Sequence, residues 1–86
     1  MNDRIRERRE RRAEFLRRLY LKVDGSVSEF VVGHEIGLEL GADAAESRRI
    51  FEYFEEKGFV KVDDHREGIL RITAAGIDEV ESQLAG

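Results

Sequence analysis

The chain contains no cysteine and no proline. Without cysteine it cannot form disulfides, thiolate nucleophiles or cysteine-ligated zinc sites, and a reducing, cytoplasmic location is expected. Without proline, turns must be made by other residues, and the eight glycines fit a mostly helical chain. No apolar run approaches the roughly 18 residues of a membrane-spanning helix. No apolar segment follows the basic N-terminus, so we expect neither a secretory signal nor a membrane partner.

Signatures of catalysis are also missing from the 86 residues. A chain of this size is expected to form one small domain without room for a deep cleft. It has no glycine-rich phosphate loop, no HExxH motif and no grouping of a nucleophile with a base. His34 and His65 do not have the local spacing of a metal site. We therefore expect no enzyme activity, no cofactor and no bound metal ion.

Charge is distributed unevenly along the chain, although the net charge is only −4. Residues 1–24 contain nine Arg and Lys against five Asp and Glu, whereas residues 25–86 contain six against fourteen. A basic N-terminal arm therefore precedes an acidic body. Such an asymmetry gives information about partners rather than about the fold.

A single helix is predicted over residues 3–23, and its two halves differ. The second half has an apolar stripe with helical spacing, formed by Phe15, Leu16, Leu19, Tyr20 and Val23. Residues 1–12 offer few apolar side chains, so we expect this part to project from the core. We thus divide the chain into a basic N-terminal helix, 1–24, and a domain over residues 25–86.

Glycine and β-prone residues organise the next segment. The stretch SVSEFVV, 26–32, is typical of a short strand, in which Val27 could pair. A helix is predicted after it, because Glu35 suits a first turn and Gly41 suits a C′ position. Gly37 would allow another helix to approach closely.

The following helix has recognisable signals at both ends. Asp43 is a favoured N-cap residue, and Glu46 has the spacing of a capping box. Gly58 is expected at the C′ position, with a left-handed backbone conformation. Phe54 and Phe59 would then form the hydrophobic pair of a Schellman ending. These signals predict two helices joined by a tight turn.

Two strands and a last helix complete the predicted elements. The strands FVKVD, 59–63, and ILRIT, 69–73, are separated by a turn in which Gly68 can adopt a positive φ. Thr73 is expected to cap a helix over residues 74–85. The predicted inward face of this helix consists of Ala74, Ile77, Val80 and Leu84. The chain is therefore expected to be mainly α with a small β-hairpin, an α+β fold.

The order of these elements and several stretches resemble the winged helix-turn-helix family, in particular its small prokaryotic members. HEIGLELGADAAESRRIFEYFEEKGFV resembles the helix-turn-helix, KVDDHREGILRIT the wing, and ITAAGIDEVE the junction to the last helix. The resemblance covers about residues 27–84 and implies a winged-helix fold with an extended N-terminal helix. Members of this family bind DNA or serve as protein-docking modules.

For a DNA-binding member, the resemblance implies a transcriptional regulator whose second motif helix lies in the major groove of double-stranded DNA. The residues that would face the bases are Ser47, Arg48, Arg49 and Glu52. Those that would approach phosphates are Lys61, His65 and Arg66. The Arg4–Arg12 arm could hold further phosphates. The terminal helices, 3–23 and 74–85, could form a homodimer interface, as in similar small regulators.

The charge pattern leaves an alternative function open. Residues 44–57 and residues 61–67 each carry a net charge of −1, whereas DNA binding draws much of its affinity from the neutralisation of phosphates. The acidic body could instead bind a basic protein, and the basic arm an acidic protein or the body of a second copy. Arg48 and Arg49 would then be solvated helix residues paired with Glu52. The alternative is therefore a protein-interaction module without DNA binding.

Overall fold

Residues 2–86, which the computed structural model describes, form four helices and one antiparallel sheet. The elements, in chain order, are α1 (Asn2–Val23), β1 (Val31–Val32), α2 (Gly33–Glu39), α3 (Ala44–Lys57), β2 (Val60–Asp64), β3 (Ile69–Ile72) and α4 (Ala74–Ala85). The predicted α+β class with mainly helical content is confirmed. The predicted helices over 3–23 and 74–85 are also confirmed, the first of them beginning one residue earlier.

The sheet has the strand order β1-β3-β2, so β3 is paired on both sides. Leu70 of β3 lies opposite Val31 of β1. The prediction that Val27 pairs was wrong, because this residue lies in a turn and is 47% exposed. The Ser28 backbone N–H donates to Ser26 Oγ over 3.3 Å and stabilises that turn. Strand pairing therefore begins later in the chain than the sequence indicated.

The core forms where the second half of α1 packs against the other elements. Its buried apolar side chains are Phe15, Leu16, Leu19, Val23, Ile36, Ile50, Phe51, Phe54, Val60, Leu70, Ile72 and Val80. Residues 2–10 of α1 are exposed, whereas Arg11 and Arg12 are partly buried. The exposed part of α1 therefore ends at residue 10, two residues before the end of the segment that was predicted to project from the core.

The turn between α2 and α3 is stabilised by the glycine and aspartate that the sequence indicated. Gly41 has φ +78°. Asp43 caps α3 by accepting a hydrogen bond from the Glu46 backbone N–H over 2.8 Å. The predicted capping box is only half formed, because the Glu46 carboxylate accepts hydrogen bonds from Arg11 rather than returning to the cap residue.

Helix α3 ends in the predicted Schellman motif. Gly58 has φ +79°. Its N–H donates to the Glu55 carbonyl, and the Phe59 N–H donates to the Phe54 carbonyl. The rings of Phe54 and Phe59 stack with their centroids 6.1 Å apart. The hydrophobic pair expected for this ending is therefore confirmed.

Thr73 joins the end of α3 to the start of α4. Its hydroxyl donates to the Gly58 carbonyl over 2.6 Å and accepts from the Gly76 N–H over 3.1 Å. The predicted inward face of α4 was partly wrong, because Ala74 and Leu84 are exposed. Gly76 is buried, and a Cβ there would overlap the backbone carbonyl that precedes β2. This close approach sets the rotation of α4, whose packed face consists of Gly76, Ile77 and Val80.

Polar side chains tie α1 to both α2 and α4. Glu39 of α2 accepts hydrogen bonds from Lys22 over 2.8 Å and from Arg18 over 3.3 Å. The bond from Lys22 is the largest influence that holds the pKa of Glu39 below its ordinary value. The Tyr20 hydroxyl donates to Glu81 of α4 over 2.8 Å, and this bond raises the pKa of Tyr20. The second half of α1 is thus fixed on two sides.

Candidate nucleic-acid interface

Ser47 lies inside the fold, contrary to the prediction that it faces DNA bases. Its side chain is 1% exposed and lies where α3 meets α2. A Cβ built on Gly37 would overlap it, which confirms the predicted close approach of the two helices at Gly37. Ser47 therefore belongs to the packing between α2 and α3. Arg49 and Glu52, by contrast, are exposed on α3.

Arg48 makes an internal contact with the turn of the hairpin. Its Nη1 donates to the His65 backbone carbonyl over 2.7 Å, and its Cζ lies 5.8 Å from the centre of the Phe51 ring. Within residues 2–86, neither Arg48 nor Arg49 forms an ion pair with Glu52. Arg48 thus connects α3 to the hairpin rather than lying beside a helix glutamate.

The turn between β2 and β3 is held both from within and from α3. Asp64 Oδ1 accepts hydrogen bonds from the backbone N–H groups of Arg66 and Glu67, each over 3.0 Å. His65 Nε2 lies 2.9 Å from a carboxylate oxygen of Glu55, a contact that is an ion pair only when the histidine is protonated. The His65 ring therefore contacts α3, and Arg66 remains exposed at the tip of the hairpin.

Lys61 is exposed on β2, directly opposite Arg71 of β3. Arg71 donates to both carboxylate oxygens of Asp63, over 3.0 and 3.2 Å, and its Cζ lies 5.5 Å from the centre of the Phe30 ring. Lys61 forms no ion pair with any residue in the described part of the chain. The hairpin thus presents the cations Lys61 and Arg66 to solvent, whereas the charge of Arg71 is neutralised by Asp63.

The basic arm of α1 contacts α3, which the sequence did not indicate. Arg11 Nη1 donates to both carboxylate oxygens of Glu46, over 2.8 and 3.0 Å. The Arg12 Cζ lies 4.4 Å from the centre of the Tyr53 ring, a cation–π arrangement. Glu46 and Tyr53 are seven residues apart, about two helical turns, and therefore lie on one side of α3. From the sequence alone, this spacing indicates that the two side chains share a face of α3. It does not identify α1 as the helix that contacts them.

Arginines from both helices meet at one open groove between α1 and α3. The groove has a volume of about 240 Å³ and is lined by Arg8, Arg12, Glu46, Arg49, Ile50 and Tyr53. Arg8 and Arg49 form no ion pair among the residues that the structure describes. The carboxylate in the lining, that of Glu46, is bound by Arg11. The groove is therefore cationic, with an apolar and aromatic wall.

Neither a metal site nor a membrane-spanning helix is present in residues 2–86. Within residues 2–86, no group of three histidine and carboxylate side chains is arranged to hold a metal ion. None of the helices described here combines the length and apolar character required to cross a membrane. Comparisons with protein-family models, with curated proteins and with solved structures found no match for this chain. The geometry of α3, the hairpin and the arm is therefore the basis for assigning a function.

Proposed function

We propose that the chain is a winged-helix DNA-binding domain that acts in transcriptional regulation. In this proposal α3 enters the major groove of double-stranded DNA, and the hairpin of β2 and β3 serves as the wing. Those arginines of the arm, residues 2–12, that face α3 hold phosphates beside it. One observation carries the proposal: contacts of Arg11 and Arg12 hold the end of the arm against α3, and Arg8 lines the same groove.

This contact changes the charge that a duplex would meet. The arm has six arginines against three acidic residues, and it lies beside a helix with a net charge of −1. Phosphate neutralisation supplies most of the non-specific affinity for DNA. The positive charge of the arm therefore offsets the glutamates of α3. Two carboxylates of the proposed interface are already bound by arginines. Glu46 of α3 is bound by Arg11, and Asp63 of the hairpin is bound by Arg71.

The exposed cations divide into two roles. Arg49 is exposed on α3 and lines the groove with Arg8 and Arg12, so it would hold the DNA backbone beside the arm rather than reach the bases. Lys61 and Arg66 would hold phosphates from the wing. Arg48 and His65 would act indirectly, because their contacts fix the wing against α3.

Binding to a random DNA duplex tests the proposal. At low salt the dissociation constant should be on the order of 10⁻⁶ M, and the logarithm of the affinity should fall linearly with the logarithm of the salt concentration. Fluorescence anisotropy with a labelled duplex measures both quantities. An absence of binding at low salt would contradict the DNA-binding function.

A different observation favours the protein-interaction function. Glu52 and Glu56 are exposed on α3 and form no ion pairs in the described part of the chain. A basic protein could neutralise them and use α3 as its docking helix. In that case the acidic side chains of α3 would contribute to binding, whereas in a DNA complex they would oppose it.

The substitution Glu52→Gln separates the two functions. If α3 enters the major groove, removing this charge should raise the affinity for duplex by about threefold, because repulsion from phosphates is lost. Asp78→Asn on α4 is the control, because it removes the same charge from an exposed position outside the proposed interface. Equal effects of the two substitutions, or a weaker duplex affinity for Glu52→Gln, would contradict the placement of α3 on DNA.

A further inference from the structure

We infer that Arg8, Arg12 and Arg49 form one binding site for a phosphate group in the groove between α1 and α3. The inference rests on the proposed DNA-binding function, in which the occupant is a phosphodiester of the duplex backbone. It differs from a general attraction between the arm and DNA, because it assigns side chains from two helices to the same anion.

The spacing of the arginines brings them to the same groove. Arg8 and Arg12 are four residues apart on α1 and share one side of that helix. Arg49 and Tyr53 have the same relation on α3. The Arg12 guanidinium lies over the Tyr53 ring, with Cζ 4.4 Å from its centre. Because this contact uses the face of the Tyr53 ring and the Arg12 side chain forms no hydrogen bond within residues 2–86, its N–H groups are available to a ligand.

The electrostatics of the groove favour an anion. The Glu46 carboxylate in its lining is bound by Arg11, and within residues 2–86 Arg8 and Arg49 have no acidic partner. Cations that surround one groove repel one another, and an anion between them removes that repulsion. Ile50 and Tyr53 form the apolar part of the lining beside these cations.

A phosphate that remains attached to a polymer fits this groove better than a free metabolite. Phosphate oxygens point in several directions and can accept paired N–H bonds from more than one arginine. The groove volume of about 240 Å³ lies below the range of roughly 300–1,000 Å³ that is typical of small-molecule pockets. An open groove of this size can take the phosphate while the rest of the nucleotide stays outside.

Salt-dependent duplex binding of two matched double variants tests the site. R8Q/R12Q removes two of its arginines. R6Q/R17Q removes the same charge from other sides of α1, where Arg6 is paired with Asp3 and Arg17 with Glu14. We expect R8Q/R12Q to bind duplex about tenfold more weakly at low salt. The slope of the logarithm of the affinity against the logarithm of the salt concentration should become shallower by about one unit, as for the loss of one phosphate contact. For R6Q/R17Q, both the loss of affinity, on a logarithmic scale, and the change in slope should be less than half of those for R8Q/R12Q. Thermal unfolding followed by circular dichroism verifies that all variants are folded.

A third substitution tests whether the two helices share one anion. Arg49→Gln should lower the affinity of the otherwise unchanged protein and have almost no effect in the R8Q/R12Q background, because the shared contact is already lost there. Additive losses would overturn the shared site, as would equal behaviour of R8Q/R12Q and R6Q/R17Q. In both cases the proposed function would stand, provided that the unchanged protein binds duplex.

Inorganic pyrophosphate separates a failure of the site from a failure of DNA binding. In ¹⁵N-resolved NMR spectra, the Nε–Hε signals of Arg8, Arg12 and Arg49 should shift on its addition, whereas those of Arg6 and Arg17 should not. If these signals shift but no duplex binds, the phosphate site stands, and both its duplex occupant and the proposed function are rejected. If no selective shift occurs and no duplex binds, the site and the proposed function are both rejected.

Discussion

Adjacent residues on α3 have different environments. Ser47 precedes Ile50 by three residues and Phe51 by four, so it belongs to the buried stripe of the helix. Its burial could therefore have been predicted from spacing. Arg48 is different, because its hydrogen bond to the His65 carbonyl joins residues 17 positions apart. No local pattern in the sequence identifies such a contact.

Ser47→Ala should leave duplex binding unchanged and should not destabilise the fold. Within the described residues Ser47 Oγ is buried and has no hydrogen-bond partner. Removing an unpaired buried hydroxyl is expected to leave the free energy of unfolding unchanged or to raise it by up to about 1 kcal/mol. Urea denaturation measures this change. A loss of more than about 1 kcal/mol would show that the hydroxyl makes a stabilising hydrogen bond.

Gly58→Val should lower the free energy of unfolding by more than about 1 kcal/mol, because a β-branched residue disfavours positive φ. Gly58 has φ +79°, and no atom lies within 4 Å of a Cβ built there, so the cost comes from the backbone and not from a clash. Lys57→Val is the control at the neighbouring exposed helical position, where about 0.5 kcal/mol is expected. Equal stability of the two variants would contradict the left-handed ending.

At the scale of elements, the sequence predicted helix ends better than contacts. The signals at Asp43, Gly58 and Thr73 act through hydrogen bonds within a few residues, and all three were confirmed. The position of β1 depends on its pairing with β3, far along the chain, and was misplaced at Val27. The face of α4 depends on the backbone that Gly76 approaches, which helical spacing alone does not reveal.

The contacts of Glu39 on α2 with Arg18 and Lys22 on α1 should weaken in acid. Because the pKa of Glu39 is lowered in the folded state, its contribution to stability is fully present above the ordinary glutamate value of about 4.3. That contribution is lost as the pH falls through the lowered folded-state pKa. Glu39→Gln should therefore reduce the free energy of unfolding at neutral pH but not in strong acid.

Urea denaturation at several pH values measures this dependence. Glu35→Gln is the matched control, because Glu35 lies on the same helix, is exposed and forms no ion pair within residues 2–86. The free energy of unfolding of Glu39→Gln could instead differ from that of the unchanged protein by a constant amount down to strong acid. That result would show that the ion pair with Lys22 does not cause the difference.

At the scale of the whole molecule, folding rearranges the charge that the sequence displays. Counted along the chain, α3 carries net negative charge and the arm is a separate basic segment. In the fold, the contact between Arg11 and Glu46 joins positions 35 residues apart and brings the end of the arm beside α3. Long side chains make this contact, so neither apolar periodicity nor capping signals could have predicted it. The candidate site therefore differs from the predicted one through the burial of Ser47, the internal contact of Arg48 and the contact of the arm with α3.

The oxygen of the Thr73 hydroxyl is shared by the last turn of α3 and the first turn of α4. A displacement of α3 by more than a few tenths of an ångström would either break its bond to Gly58 or move Thr73 as well. Within the proposed function, α3 and α4 would therefore move together about Thr73. A tilt of α3 on DNA would be transmitted mechanically to α4 and to the surface that α4 exposes.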